Sequence, residues 1–242
     1  MLKTMKAGIL AIGLCACAAP AYAQMQWTDR GFINVNAGVQ AGSHDLNTSR
    51  SFDLYDESEV LQSSGKVSSG AFFDVGVGYR MWQNVAVAIS FLHSGSDSDL
   101  TVRASIPDPI FYNSPRTATL VASGAKHTEN VVNLDAVWMV PFTDKIDFGI
   151  SAGPSIFLAG QELTSALPIV SEPGPTVGSP VLSNIKKTTV GVNFGVDVSY
   201  MLTKRYGVGG VARYSWGSGD FGGGDNVTLG GFQIGAGLRV RF

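Results

Sequence analysis

The sequence predicts an all-β chain, an eight-stranded antiparallel up-and-down transmembrane β-barrel, and three observations predict it. The first is a period of two that runs to the last residue. From Val227 to Phe242, one set is Phe232, Ile234, Ala236, Leu238, Val240 and Phe242, and the other is Gly231, Gln233, Gly235, Gly237, Arg239 and Arg241. Successive side chains of a strand point to opposite faces, so one face here is apolar and the other is Gly, Gln and Arg. The second is that the pattern recurs along the chain with charges and Gly sharing a face. That puts the charges in a crowded interior and the apolar face against hydrocarbon. A soluble barrel would do the reverse, with Lys, Glu and Asp outside. The third is a repeat of short turns, centred on Gln83, Asp144 and Lys204, 61 and 60 residues apart, with long loops between them. Short turns on one side and long loops on the other are what such barrels show.

Composition agrees. Among 242 residues, only 15% are charged and 30 are Gly, which suits short alternating strands and fits a helical enzyme poorly. Lys3 and Lys6, the apolar run Ala7–Ala19 and the small-x-small site Ala21-Tyr22-Ala23 read as a signal peptide over residues 1–23. The apolar run is shorter than the roughly 20 residues a spanning helix needs. Residues 24–242 then form the barrel domain, starting at Gln24. Cys17 in Leu14-Cys15-Ala16-Cys17 loosely fits a lipoprotein site as an alternative. Both cysteines lie in this leader, so the exported chain has no thiolate ligand or Cys nucleophile. Losing two Lys from 17 basic residues against 19 acidic ones leaves a net charge of about −4, and nothing basic invites nucleic acid.

The strands follow in order. Gly31–Gln40 alternates Ile33, Val35, Ala37 and Val39 with Phe32, Asn34, Asn36 and Gly38. Ala71–Met81 puts Phe73, Val75, Val77 and Tyr79 opposite Phe72, Asp74, Gly76, Gly78 and Arg80, and Val85–Leu92 completes the hairpin. Val132–Phe142 and Ile146–Ile156 form the second hairpin, in which Pro154, lacking a ladder donor, is expected to mark a bulge. Thr189–Tyr200 and Val208–Trp216 form the third, and Val227–Phe242 closes the set of eight. The long loops are expected near 41–67, 94–126, 160–185 and 217–226. Phe52, Leu54 and Val60 hint that strands continue past the membrane. Tyr79, Trp138, Phe142, Phe148, Tyr200 and Phe242 make an aromatic belt near the short turns. Phe91, Tyr214 and Trp216 make a second near the loops.

Parity assigns a polar network to the lumen: Asp74, Asp135, Asp147 and Asp197 with Arg80, Arg213, Arg239 and Arg241, joined by Asn34, Asn36, Asn133, Asn193 and Gln233. Eight strands enclose an interior that side chains just fill, so these groups are expected to pair as a plug. A gated narrow pore is the alternative. No catalytic, cofactor or metal residue stands out. His93 precedes Ser94 and Ser96, with Asp97 and Asp99 close by, but Ser-rich loops produce such neighbours by chance. Asp97/Asp99 and Glu57/Glu59 lack calcium-loop spacing. Two Gly patterns, Gly207-x-Gly209-x-x-Ala212 and Gly217-x-Gly219-x-x-Gly222, have no helix after them to hold a phosphate. Ile106, Pro107, Pro109, Ile110, Phe111 and Tyr112 in one loop, and Pro168, Pro173, Pro175 and Pro180 in another, are expected to pack on themselves.

Phe73-Asp74-Val75-Gly76-Val77-Gly78-Tyr79-Arg80-Met81-Trp82 with Asn84-Val85-Ala86-Val87 resembles the bacterial outer membrane beta-barrel domain proteins. So do Pro107-Asp108-Pro109, Pro115-Arg116, Trp138-Met139-Val140-Pro141, Gly153-Pro154-Ser155 and the closing Gly237-Leu238-Arg239-Val240-Arg241-Phe242. The likeness covers nearly all of the exported chain and points to the small OmpA-, OmpX- and OmpW-like barrel class. It implies the fold and a Gram-negative outer membrane, and it carries no catalytic residues. The terminal Phe242 resembles the signal read by the outer-membrane assembly machinery. The expectation is a monomeric, non-enzymatic barrel without cofactor, in contact with outer-membrane lipid and lipopolysaccharide. Its role would be structural or at the cell surface, or alternatively that of a small channel for ions or small hydrophobic solutes. No plug domain is expected before Trp27 and no domain after Phe242.

Overall fold

The computed structural model describes residues 26–41, 44–171, 176–221 and 226–242. The expected leader and cleavage site, Gln24 and both cysteines lie outside the described residues, as do Pro173, Pro175 and Gly222.

Twelve strands are found among the described residues: β1 (Gly31–Ala41), β2 (His44–Leu54), β3 (Glu57–Val67), β4 (Gly70–Trp82), β5 (Val85–Ile106), β6 (Arg116–Pro141), β7 (Ile146–Ala166), β8 (Ile169–Ser171), β9 (Thr176–Val177), β10 (Val181–Met201), β11 (Tyr206–Asp220) and β12 (Asn226–Arg241). Eight of them form a ring, ordered β4, β1, β12, β11, β10, β7, β6, β5 and back to β4, each antiparallel to its neighbours. The closing seam runs from Phe32↔Arg241 to Ala41↔Phe232.

The wall faces as the alternation requires. Leu238 is 61% exposed and its neighbour Arg239 0%. Val77, Ile89, Val192 and Ile234 are exposed, while Asp74, Asp135 and Arg241 are buried. An arrangement with large apolar side chains out and charges in is unfavourable in water and favourable in a bilayer. Exposed aromatics mark both edges of this band: Tyr79, Trp138, Phe142, Tyr200 and Phe242 at the short-turn end, and Phe91, Tyr214 and Trp216 towards the other. Ten residues separate Tyr206 from Trp216. At about 3.3 Å per residue and a tilt of about 40°, that is roughly 25 Å of height, the expected apolar thickness.

Two expectations are corrected. Most of the anticipated loops are strand. β5 runs on to Ile106, β6 begins at Arg116, β7 extends to Ala166, β10 starts at Val181, and β2 and β3 form a hairpin docked on β5 through Val60↔Ser105 to Gly65↔Leu100. Pro154 is not a bulge. It pairs in register with Val192, and the β6–β7 ladder keeps one register from Asn133↔Ser155 to Ala136↔Ala152, skipping Leu134 and Asp135. The missing N–H leaves a gap in the ladder, which the other strand pairings of β6 and β7 tolerate.

Above the membrane band the inward face turns apolar. On β5 the buried series Ala86, Ala88 and Ser90 continues as Leu92, Leu100, Val102, Ala104 and Ile106, while His93, Asp97, Asp99 and Arg103 point out. Leu46, Phe72, Leu92, Leu100, Phe157, Leu163, Phe221 and Leu229 meet there in one core. A one-residue bulge on β6 at Gly124, whose φ is +71°, shifts the parity so that Leu120 and Ala122 also turn inward.

Candidate functional site: the filled lumen

Inward parity on successive ring strands stacks the polar side chains in levels between the short turns and the apolar core. The longest network crosses the lumen from β11 to β10. Arg213 Nη1 donates to Asp74 Oδ2 at 3.1 Å. Asn36 Nδ2 donates to Asp74 Oδ1 at 2.8 Å, and Asn36 Oδ1 accepts from Arg239 Nη1 at 2.7 Å. Arg239 grips Asp197 with two bonds, Nε to Oδ1 at 3.1 Å and Nη2 to Oδ2 at 2.5 Å. Ser199 Oγ donates to Asp197 at 2.9 Å and accepts from Arg241 Nη2 at 2.8 Å. Planar guanidinium groups suit this two-point grip. A second network links Asn193 to Asp135 and Ser155, and then Asn133 and Ser90, at 2.7–3.1 Å.

The third network joins the expected Gln233 to residues that the sequence reading does not single out. Gln233 bonds Gln40 and Ser215, each at 3.1 Å. Gln40 donates to Glu129 at 3.0 Å, and so does the Gly230 amide at 3.1 Å, turned inward by a φ of +88°. His127 meets Glu129 Oε1 through Nε2 at 2.9 Å and Gln161 Oε1 through Nδ1 at 2.7 Å. Parity carried two residues at a time back from Asn133 reaches Val131, Glu129 and His127, and forward from Asn36 it reaches Gln40. The signal is present in the sequence: Gln40 ends the first expected strand, and His127 and Glu129 fall between the expected loop at 94–126 and the strand that starts at Val132.

The remaining expected residues lie at the short-turn end. Trp27 closes the mouth there: its ring is buried, 6.1 Å from Phe32, with the Arg241 guanidinium 5.7 Å above it. Its backbone is held by Asn84 Oδ1 at 2.9 Å and by Arg80, which donates to Trp27 O. Arg80 therefore sits half-buried at the rim rather than in the network. Asp147 is buried beside this mouth, facing a groove shared with Asp29, Asp144 and Lys204. Burial pushes the Asp29 carboxyl above the usual aspartate range, against the pull of Arg241 and Arg80.

Between the Trp27 seal and the apolar core lies a chamber of about 60 Å³, lined by Asn34, Asp74, Asp135, Asp197, Arg213 and Arg241 among others. It has space for on the order of four waters. Arg213 Nε, Arg241 Nε and Nη1, and Asn34 Oδ1 are buried there without a protein partner.

The chemistry considered from sequence meets a geometric obstacle. His93 points outward to Asn130, at 2.8 Å, and Ser94 points inward, so the adjacent pair lies on opposite sides of the wall. Ser94 and Ser96 instead face Glu129 and His127 across the β5–β6 ladder. Both ring nitrogens of His127 are already engaged, which leaves neither as a base for a hydroxyl. The Gly207 and Gly217 patterns lie in or run off the end of β11, with no helix after them among the described residues. The side chain of His44 lies outside the described residues. Among the described residues no group of three His, Cys, Asp or Glu is placed to hold a metal.

The fold, the apolar band and the buried charges define an integral outer-membrane barrel. The chain belongs to the family described as outer membrane protein beta-barrel domain, which matches residues 9–239, and its place is the bacterial outer membrane. No curated protein matches it in sequence. Among solved structures, Neisserial surface protein A is 15% identical over 88% of this chain and 97% of its own, with a TM-score of 0.47. The outer membrane protease OmpT from Escherichia coli is 10% identical over 92% and 100%, with a TM-score of 0.52. Ail, the attachment invasion locus protein of Yersinia pestis, is 10% identical over 87% and 99%, with a TM-score of 0.38. At these identities the likeness shows the fold alone.

Proposed function

We propose that this barrel is a non-conducting, non-enzymatic anchor that presents its outer sheet to partners at the cell surface. The observation that carries the reading is the double seal. Trp27, Phe32 and Arg241 fill one end, and the apolar core around Phe157 and Leu229 fills the other. An ion crossing that core would leave its water behind, and the polar groups at that level, Gln40, His127, Glu129 and Gln161, are already bonded to one another. Short turns face the periplasm in such barrels, so the long strand ends face outward. β5 has 22 residues, about 55 Å of height at a 40° tilt, so its tip stands roughly 30 Å clear of a 25 Å apolar band. The proposed neighbours are outer-membrane lipid and lipopolysaccharide around a monomeric wall, with Phe242 read by the assembly machinery. Recording from the refolded protein in a planar bilayer is expected to show silence. Steady discrete steps would overturn the reading.

One observation favours a small gated channel instead: the chamber, in which guanidinium N–H groups lie without partners next to exchangeable ion pairs. That reading expects Arg213→Ala or Asp135→Ala to raise single-channel conductance.

A further inference from the structure

β2, β3, β5 and the upper part of β6 rise above the band as one outer sheet, and its far end is made of two hairpin tips. The β2–β3 turn is Tyr55-Asp56, and residues 107–115 join β5 to β6. The Asn113 amide donates to Glu57 Oε1 at 2.6 Å, which ties one tip to the other. Ile106 and Pro107 are buried at the base of the β5–β6 loop, but Ile110, Phe111 and Tyr112 do not pack back onto them and are exposed by 65–81%. Tyr55 on the other tip is 46% exposed. The backbone beneath these side chains is fixed. Asp108 Oδ1 accepts from the Ile110 and Phe111 amides at 2.8 and 3.1 Å. Tyr55, Asp56 and Asn113 have φ values of +54°, +59° and +59°, left-handed backbone that a bulky residue adopts only where its surroundings hold it.

We propose that the tied tips insert Tyr55, Ile110, Phe111 and Tyr112 into the head-group layer of a second, apposed membrane of zwitterionic lipid. The proposal rests on the surface role argued above and names a lipid surface as the partner. Height removes the barrel's own membrane, since the tip of β5 stands roughly 30 Å clear of the apolar band. Size disfavours a protein partner. The four side chains expose roughly 500 Å² between them, short of the ~800 Å² that each side of a stable protein interface covers. A bilayer needs no matching surface and closes around what enters it. Tyr rings settle at head-group level, with Phe and Ile just below. An amide N–H without a partner opposes such entry. Here the amides of Ile110, Phe111 and Asn113 are bonded within the tips. Charge selects the lipid. Asp53, Asp56, Glu57 and Asp108 flank the cluster against Arg50 and Arg116, and the Ile110 and Phe111 amides hold the Asp108 carboxyl below the usual aspartate range. An anionic surface repels this acidic collar, and a zwitterionic one does not. A single tip binds weakly, but many barrels in one outer membrane engage together.

The test places one dye at the tip. Both cysteines lie among residues 1–23, so the chain refolded without those residues carries Phe111→Cys as its single thiol. Labelled there with a polarity-sensitive dye and held in lipid nanodiscs, the protein should emit at shorter wavelength when phosphatidylcholine vesicles are added. Brominated lipid in those vesicles should quench it. The same dye at Ser49→Cys, on the side of β2, should stay in water. Replacing Ile110→Ser and Tyr112→Ser together should lower the vesicle-bound fraction in flotation at least about fivefold. Phosphatidylglycerol vesicles should bind less than phosphatidylcholine vesicles. Heat-shifted mobility on gels verifies that each variant is folded. No shift with either vesicle, an equal shift at Ser49, flotation indifferent to the two serines, or stronger binding to phosphatidylglycerol would each overturn the proposal. So would a shift that serum protein produces and vesicles do not, which would give the tips to a protein partner. Bilayer silence would still stand in those cases, so this failure is distinct from failure of the surface reading.

Discussion

At the scale of single residues, the lumen shows how a buried charge is made tolerable. Arg239 has no exposure and spends its donors on Asp197 and Asn36. Arg239→Ala would strand Asp197 in the wall and should cost about 3–5 kcal/mol in urea unfolding from micelles. The double variant with Asp197→Ala should recover part of the loss, since the orphaned charge goes too. Outside the membrane band, Glu59 shows the opposite case. Its Oε1 is buried without a partner, and burial pushes its carboxyl above the usual glutamate range. A carboxyl whose folded value is raised binds its proton more tightly in the native state. Ionising it therefore weakens the fold as pH rises from the unfolded value through the folded one. Glu59→Gln should raise the urea midpoint at neutral pH, and the gain should fade as pH falls below the glutamate range. A gain that persists in acid would show that the charge was not the cause.

At the scale of elements, one strand serves two solvents. β5 keeps the same residues inward along its length, yet their chemistry changes where the outer medium changes. Beside hydrocarbon, Val87 and Ile89 face out and Ser90 faces in; beside water, Asp99 and Arg103 face out and Leu100 and Val102 face in. The apolar seal depends on this change and on glycine. Gly191 and Gly217 are cross-strand partners, and the Phe157 ring lies against both. A Cβ at Gly217 would lie 2.9 Å from the ring. Gly217→Ala should destabilise by about 1–3 kcal/mol through overpacking, and Phe157→Leu in the same chain should relieve it. Equal losses in the single and double variants would place the strain elsewhere.

At the scale of the whole molecule, the two seals act in series. Trp27→Ala alone should leave the barrel silent in a bilayer, because the core around Phe157 and Leu229 still excludes ions. Steps from that single variant would show that the upper core leaks. The same series arrangement explains why a polar lumen does not amount to a pore. Its ion pairs cross the space they occupy, and above the chamber the polar groups bond to one another among apolar side chains.

Alternation by itself determined the ring of eight strands, the face each residue takes and the outer-membrane setting, because a period of two leaves a strand only one choice of which side to turn to lipid. The inward placement of Asp74, Asp135, Asp197, Arg239 and Arg241 was legible for that reason. Partners were not. That Asp197 meets Arg239 and Asp74 meets Arg213 depends on how strands far apart in sequence align across the lumen. Arg80 turned to the rim because Trp27, from a segment with no alternation to read, occupies the mouth. The outer sheet was only hinted at, by Phe52, Leu54 and Val60, because its inward face is apolar like a soluble core and the bulge at Gly124 interrupts the count. Only the tertiary structure decided where the lumen closes and how the two outer hairpin tips meet, since both follow from contacts between elements and neither from the pattern within one.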